Sequence, residues 1–325
     1  VSLIRPATDE VVRRAADILR RGGLVAFPSE TVYGLGADAT NPTAVARIFE
    51  VKERPHFDPL IIHLASTDWL KRYIAAVPSE AAWLAGRYWP GPLTLVLPKR
   101  DLIPDIVTAG LPTVAVRVPS HPVAHAMIER AGVPIAAPSA NRFGQISPTT
   151  AQAVADELGE RIDLILDDGS TRHGVESTIV EFAEGGPRLL RPGPVSREEL
   201  SESLGREILL ATHVPATPSA PGQLPRHYAP TTPLRLVNQA GEFTPQVWKK
   251  VGLLAFRSAP HGDQFAAVEI LSPRGDLRHA AANLFSALRR LDAVGLDLIV
   301  AETVPATGIG LAIMDRLRKA ATIHD

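Results

Sequence analysis

Apolar positions recur along this chain in two rhythms, and the alternation between them predicts an order of elements. Over 9–21, Val11, Val12, Ala15, Ile18 and Leu19 share one face of a 3.6-residue period, with Thr8 placed to cap the first turn and Gly22-Gly23 to end the last. A helix is predicted there. The run Leu24-Val25-Ala26-Phe27 is apolar throughout and reads as a buried strand, stopped by Pro28. The polar, glycine-bearing stretch from Ser29 to Gly36 is predicted to be a loop, and Asn41-Pro42 to open the next helix. Short aliphatic runs at 60–64, 93–97, 113–118, 135–137, 164–166 and 177–182 predict further strands. Helical periods at 66–76, 78–88, 121–131 and 148–158 fall between them. The fold class this implies is α/β, an open twisted mixed sheet layered with helices.

The rhythm stops between Thr212 and Pro230, a stretch too rich in proline for helix or central strand and therefore predicted to be an interdomain linker. Beyond it, runs at 234–237, 251–256, 268–271 and 298–301 alternate with helical periods at 276–292 and 309–320, the pattern of a small Rossmann-like α/β domain. The expected division is a first domain over 1–205, a linker or lid over 206–230 and a second domain over 231–325. No internal repeat relates the two halves.

Composition narrows the chemistry. With 34 basic against 35 acidic residues in 325, the formal charge of −1 gives no whole-protein field for non-specific nucleic-acid binding. The absence of cysteine removes thiolate catalysis, disulfides and cysteine metal sites. No apolar run of the length a membrane span needs, about 18 residues, occurs, so a soluble, cytoplasmic protein is expected.

Several residues carry two readings each. Ser29, Thr31 and Tyr33 sit where open α/β sheets bind ligands, yet the same loop also reads as an ordinary turn. Lys52 and Arg54 either complement a helix C-terminus or meet phosphate. His63, on an apolar strand, is a hydrogen-bonded core residue or a site residue. Arg117 ends a buried strand and needs a carboxylate, supplied either by an Asp or Glu of the chain or by a substrate. Ser147-Pro148-Thr149 opens a helix whose N-terminus suits phosphate, unless Ser147 is simply its cap. A P-loop and a Gly-x-Ser-x-Gly elbow are absent from the sequence, and Gly308-Ile309-Gly310 is a partial dinucleotide motif that also fits close helix packing.

Taken in order, Pro28-Ser29-Glu30-Thr31-Val32-Tyr33-Gly34-Leu35-Gly36, Lys52-Glu53-Arg54-Pro55, Trp89-Pro90-Gly91-Pro92-Leu93-Thr94, Ala137-Pro138-Ser139-Ala140-Asn141, Gly174-Val175-Glu176-Ser177-Thr178 and Leu190-Arg191-Pro192-Gly193-Pro194 resemble the YrdC-type threonylcarbamoyl-AMP synthases. His227-Tyr228-Ala229-Pro230 and the domain after it resemble the longer, two-domain form. The resemblance implies a YrdC-like fold and a reaction of L-threonine, bicarbonate and ATP, with Mg²⁺ carried by ATP rather than by a protein metal site. It implies that Thr31, His63, Arg117, Ala137 and Ser177 line a threonine site. Arg54, Asp58, Thr113, Ser139, Ser147, Arg191 and Tyr228 would face the nucleotide, with Lys52 and Arg54 as the catalytic cations. A downstream threonylcarbamoyl transferase complex would be the partner and tRNA only an indirect one, with no membrane involved. Asp58 departs from relatives that carry a neutral or basic residue, so any phosphate contact there would run through magnesium, water or backbone. Arg226 is the only arginine or lysine from Thr212 to Pro230, where relatives often carry more. The rival reading is an RNA-binding module without ATP chemistry, its cations tracking phosphates along a concave face. With aromatics at 5%, base stacking has little to work with.

Overall fold

The first helix forms as its sequence asks: it runs Asp9–Arg20, the Thr8 side chain accepts the amide of Val11, and Val12, Ala15, Ala16 and Leu19 turn inward. The computed structural model describes residues 3–183, 185–211, 218–243, 250–260 and 262–321. Among these residues, eleven strands form one mixed sheet. Their order is Ile4–Pro6, Leu164–Asp167, Val25–Phe27, Gly34–Asp38, Ile135–Ala136, Ile61–His63, Thr113–Arg117, Leu93–Pro98, Thr178–Ala183, Gly186–Arg191 and Leu209–Leu210. Both faces are covered. Along the first buried run Leu24 and Ala26 enter one apolar cluster while Val25 and Phe27 enter the other, which is why that run shows no polar alternation.

Three local expectations are corrected. The predicted loop from Ser29 to Gly36 ends early, because Gly34–Asp38 is a strand paired antiparallel to Val25–Phe27 and to Ile135–Ala136. Its Gly-Leu-Gly-Ala-Asp sequence lacks the β-branched residues that mark strands, so tertiary pairing supplies what propensity does not. The predicted helix at 66–76 is a 3₁₀ turn, Thr67–Trp69, and a single turn, Leu70–Tyr73. Ser66 makes no side-chain capping bond, and Ile74 leaves the helix for a bridge to Lys99. The helix expected from residue 148 is Ala151–Leu158, capped by Thr150 on the amide of Ala153, so Ser147 lies upstream of it and is not its cap. Ile4–Pro6, Gly186–Arg191 and the helix Arg197–Leu204 add elements beyond those expected.

The second domain carries four parallel strands in the order Leu234–Val237, Leu298–Glu302, Val251–Ala255 and Ala267–Ile270, the Rossmann-like pattern its sequence suggests. Its helices Leu277–Asp292 and Gly310–Ala321 do not face solvent alone: Leu284, Phe285 and Ile313 share one apolar cluster with Val32, Ile146, Val175 and Tyr228 of the preceding chain. The partial glycine motif serves packing, since a side chain at Gly310 would meet the Pro305 carbonyl at 1.9 Å. Residues 212–217 of the predicted linker lie outside the described residues. From Pro218 to Pro230 the chain has neither helix nor strand and lies against the large sheet, where Ala220 packs with Ile61, Val96, Ala115 and Ile179. Among the described residues no helix is long and apolar enough to cross a membrane.

Candidate active site

Strand ends and the linker converge on one narrow pocket. Its lining includes Thr31, His63, Arg117, Ala137 and Ser177 together with Arg54, Ser139, Arg191, His227 and Tyr228. Of the residues the resemblance singled out, Lys52, Asp58, Thr113 and Ser147 stand behind or beyond this lining.

The Thr31 loop is tied by hydroxyls before it meets anything else. Ser29 Oγ donates to the Val32 carbonyl at 2.7 Å and lies 2.8 Å from Thr31 Oγ1. Thr31 Oγ1 also accepts Arg117 Nη1 at 3.0 Å. Arg117 is only 3% exposed; it further donates Nε to the Gly91 carbonyl at 3.1 Å and Nη2 to Glu30 Oε1 at 2.6 Å. The partner that Arg117 requires is thus present in the chain. Burial works to raise the Glu30 carboxyl, but the Arg117 guanidinium overrides it and holds the acid at about 2. Burial, and then the charge of Arg117, push His63 down to about 3, so it stands neutral at pH 7 with Nδ1 lacking a hydrogen-bond partner among the described residues. A neutral imidazole here can donate or accept a hydrogen bond but is a poor proton source. Ala137 puts only a methyl group into the floor, opposite Gly34.

Three buried cations stand in or behind the lining. Lys52 ends the helix Pro42–Lys52 and turns away from its own carbonyls to donate to the carbonyls of Ser139, at 2.6 Å, and Asn141. That removes simple dipole complementation as its role. Desolvation first, and then the charge of Arg54, hold its ammonium well below the ordinary lysine value. Arg54 donates to the carbonyls of Asp58 at 3.1 Å and Pro59 at 2.8 Å, and its Nη2 lies 2.9 Å from Asp58 Oδ2. Asp58 is therefore the counter-ion of Arg54, fully buried behind it, rather than a residue lining the pocket. Arg191 donates Nε to the Ser177 carbonyl and Nη2 to Ser177 Oγ, both at 3.0 Å, and Ser177 Oγ lies 2.8 Å from Thr94 Oγ1. Ser177 thus ties Arg191 to Thr94.

Ser147, freed from capping, donates its hydroxyl to Glu176 Oε1. Thr113 is half-buried at the far end of the strand that Arg117 terminates, on the same face because four residues separate them. Sequence reasoning left Glu30 and Glu176 without roles although each is a lone acid in a quoted motif, and it passed over His227, which is buried at the rim. The concave basic face needed by an RNA-tracking module is not what these cations make: Lys52, Arg54 and Arg191 are 1%, 6% and 4% exposed.

The linker enters this pocket rather than passing over it. Gly222 adopts φ 81° with its α-carbon so close to the Tyr228 hydroxyl that a Cβ would sit 2.4 Å from it, so glycine is required twice over. Tyr228 has φ 62°, is 1% exposed, stacks with Phe285 at 5.9 Å between centroids and meets the His227 ring at a tilt, 4.1 Å between centroids. Its hydroxyl lacks a hydrogen-bond partner among the described residues, and burial, against the charge of Arg316, pushes it up to about 12.

Two family models match the chain in series. One, described as telomere recombination and spanning the Sua5, YciO and YrdC proteins, matches residues 17–193; the other, described as the threonylcarbamoyl-AMP synthase C-terminal domain, matches 195–322. A threonylcarbamoyl-AMP synthase of Pyrococcus abyssi is 45% identical over 322 residues, covering 95% of this chain and 94% of that protein. One of Bacillus subtilis is 43% identical over 328 residues, covering 96% and 93%. The crystal structure of P. abyssi Sua5 complexed with L-threonine has the same fold at TM-score 0.90 and 44% identity, over 98% of this chain and 96% of that one.

Proposed function

The chain belongs to the threonylcarbamoyl-AMP synthase family, enzymes of the nucleotidyltransferase kind, and we propose that it converts L-threonine, bicarbonate and ATP into threonylcarbamoyl-AMP, pyrophosphate and water. One observation carries this reading: the hydroxyls of Thr31 and Ser177 and the guanidinium of Arg117 line the same pocket as the buried cations Arg54 and Arg191. The complex of the P. abyssi relative with L-threonine supports the choice of amino acid.

In the proposed reaction the threonine amine attacks carbon dioxide derived from bicarbonate and loses a proton, and a carbamate oxygen then attacks the α-phosphorus as pyrophosphate leaves. Thr31, His63, Arg117, Ala137 and Ser177 hold the amino acid. Arg54, Ser139 and Arg191 face the phosphates, with Lys52 holding Ser139 and Asp58 holding Arg54 from behind, while Ser147 holds Glu176. Positioning and charge neutralisation suffice, because no bond to the protein forms. Mg²⁺ belongs to this scheme as part of the MgATP substrate: Glu30, Glu176 and Asp58, the acids nearest the pocket, are each already paired with an arginine. A nucleotide reaching from Arg54 towards Thr113 would run over Ile61 and Ala115, the strip on which Ala220 of the linker now packs, so we assign the linker the role of a lid that lifts for ATP.

The product is an activated carbamoyl donor, and we assign its use to a separate transferase that modifies adenosine in tRNA. The deciding measurement is pyrophosphate release with each substrate omitted in turn. Release that persists without threonine or without bicarbonate would reject the reading.

A further inference from the structure

Arg316 heads the fully buried side chains of the described residues by size, and it belongs to the second domain while its partners, Asp315 apart, belong to the rest of the chain. It projects from the helix Gly310–Ala321, whose neighbouring inward positions Ile313, Leu317 and Ala320 are apolar. Its Nε donates to Glu176 Oε2 at 2.9 Å, and its Nη1 to the Pro192 carbonyl at 2.8 Å and to Asp315 Oδ2 at 2.7 Å. The guanidinium lies 5.0 Å from the centroid of the Tyr228 ring. Glu176 spends its other oxygen on the Ser147 hydroxyl. One cation thereby touches a pocket acid, the carbonyl next to Arg191 and the aromatic residue of the lid.

Burying a guanidinium is costly, and packing alone would be served as well by an apolar side chain of similar volume. What an apolar residue could not do is fix the direction of Glu176 and the plane of Tyr228 together, since a planar fork sets both by geometry. The Tyr228 hydroxyl and Arg316 Nη2 still lack partners among the described residues, as groups that a ligand completes would. Arg117 is out of this reach: it is held by Glu30, Thr31 and Gly91, none of which is a hydrogen-bond partner of Arg316.

We propose that Arg316 is a positioning residue for the nucleotide side of the pocket, through which the second domain orients Glu176, Ser147 and Tyr228 of the rest of the chain. The inference rests on the reading of that side as the ATP site. It accounts for a second domain with a helix inserted against a pocket to which it contributes no lining residue.

The test compares the full-length wild type with Arg316→Lys, Arg316→Met and the double variant Arg316→Met/Glu176→Gln, each below its own melting temperature. Affinities for a non-hydrolysable ATP analogue and for L-threonine are measured by calorimetry. Arg316→Met should weaken the analogue by about tenfold or more, the scale of a lost charged hydrogen bond, and leave threonine within about twofold. Arg316→Lys should recover part of the loss. The double variant no longer buries a lone carboxylate, so it should regain melting temperature without regaining nucleotide affinity, which keeps the test open if Arg316→Met fails to fold. Wild-type nucleotide affinity in a folded variant, or equal losses for both ligands, overturns the inference and leaves the ATP reading standing. A wild-type chain that binds no nucleotide overturns both.

Discussion

Arg117 and Glu30 form a buried ion pair, Nη2 to Oε1 at 2.6 Å, with side chains 4% and 7% exposed. The pair stands at the end of the pocket that we assign to threonine, and on that assignment Arg117 serves the fold and the substrate at once. It still has N–H groups to spare, since only one bond is made by each of its three nitrogens.

Arg117→Ala should therefore show two separable effects. Leaving Glu30 alone in the interior should cost about 3–5 kcal/mol of stability. Loss of a charged hydrogen bond to threonine should weaken its binding by roughly ten- to a hundredfold. Arg117→Ala/Glu30→Gln should restore much of the stability and none of the affinity. Calorimetry on the folded double variant decides: threonine bound as tightly as by wild type would show that Arg117 is purely structural.

Arg54 is expected to act on turnover. It lines the pocket, whereas Lys52 stands behind the lining and donates to the carbonyls of Ser139 and Asn141. Arg54→Ala should lower kcat by about 10²–10³, the usual loss for one donor aimed at charge that develops in the transition state, with a smaller change in KM for threonine. Because Asp58 would be stranded, the variant is best made as Arg54→Ala/Asp58→Asn, compared with Asp58→Asn alone. Turnover near that of Asp58→Asn at saturating ATP would mean the phosphates lie elsewhere.

Acid should destabilise the protein in two stages. His63 titrates at about 3 when folded against an ordinary 6.5, so the unfolded chain takes up a proton that the folded chain refuses. Its contribution is complete above pH 6.5 and is lost progressively as pH falls towards 3. Glu30, held at about 2 against an ordinary 4.5, contributes above pH 4.5 and loses that contribution as pH falls towards 2. His173, pushed down to about 4 chiefly by burial, acts in the same direction as His63. Each group adds a slope of up to about 1.4 kcal/mol per pH unit. Urea unfolding from pH 7.5 down to pH 5 should show stability decreasing as the pH is lowered, less steeply in His63→Gln. An unchanged slope would show that His63 is not the buried neutral group described.

What the sequence made legible follows from the range of the forces involved. Thr8 capping, the Asp9–Arg20 face and the run ending at Phe27 are local patterns, and they are readable. The strand Gly34–Asp38 is not, because its composition favours a turn and, although it pairs with the nearby Val25–Phe27, its other partner, Ile135–Ala136, comes from about a hundred residues away. At the site, the need of Arg117 for a carboxylate can be argued from one buried strand. That Glu30 supplies it, 87 residues distant, cannot. Ser147 shows the converse, for a residue that looks like a local cap spends its hydroxyl on Glu176 instead. Arg316 leaves one trace, a charge on the apolar stripe formed with Ile313, Leu317 and Ala320.

The linker that we propose as a lid is the most exacting case, because it is packed down at many points. Tyr228 is wedged between His227 and Phe285, Lys319 Nζ donates to the Gly222 carbonyl at 2.7 Å, and Ala229 donates its amide to the Gly144 carbonyl at 2.9 Å. These contacts hold the linker down, and Ala220 packs on the strip formed by Ile61 and Ala115. If ATP uses that strip, the linker must leave it and settle again around the nucleotide, with Gly222 absorbing the change and Tyr228 reaching a new partner for its hydroxyl. Tyr228→Ala should then lower turnover, because a site that cannot reclose admits water to the carbamate and the activated phosphate. Protease cleavage across 218–228 should be slow with no ligand, and its rate should change when threonine and a non-hydrolysable ATP analogue are added together. The competing idea is a passive tether, which predicts one cleavage rate in all states and normal turnover in Tyr228→Ala. Observing both would remove the lid and leave Arg54 and Thr113 to be reached by some other route.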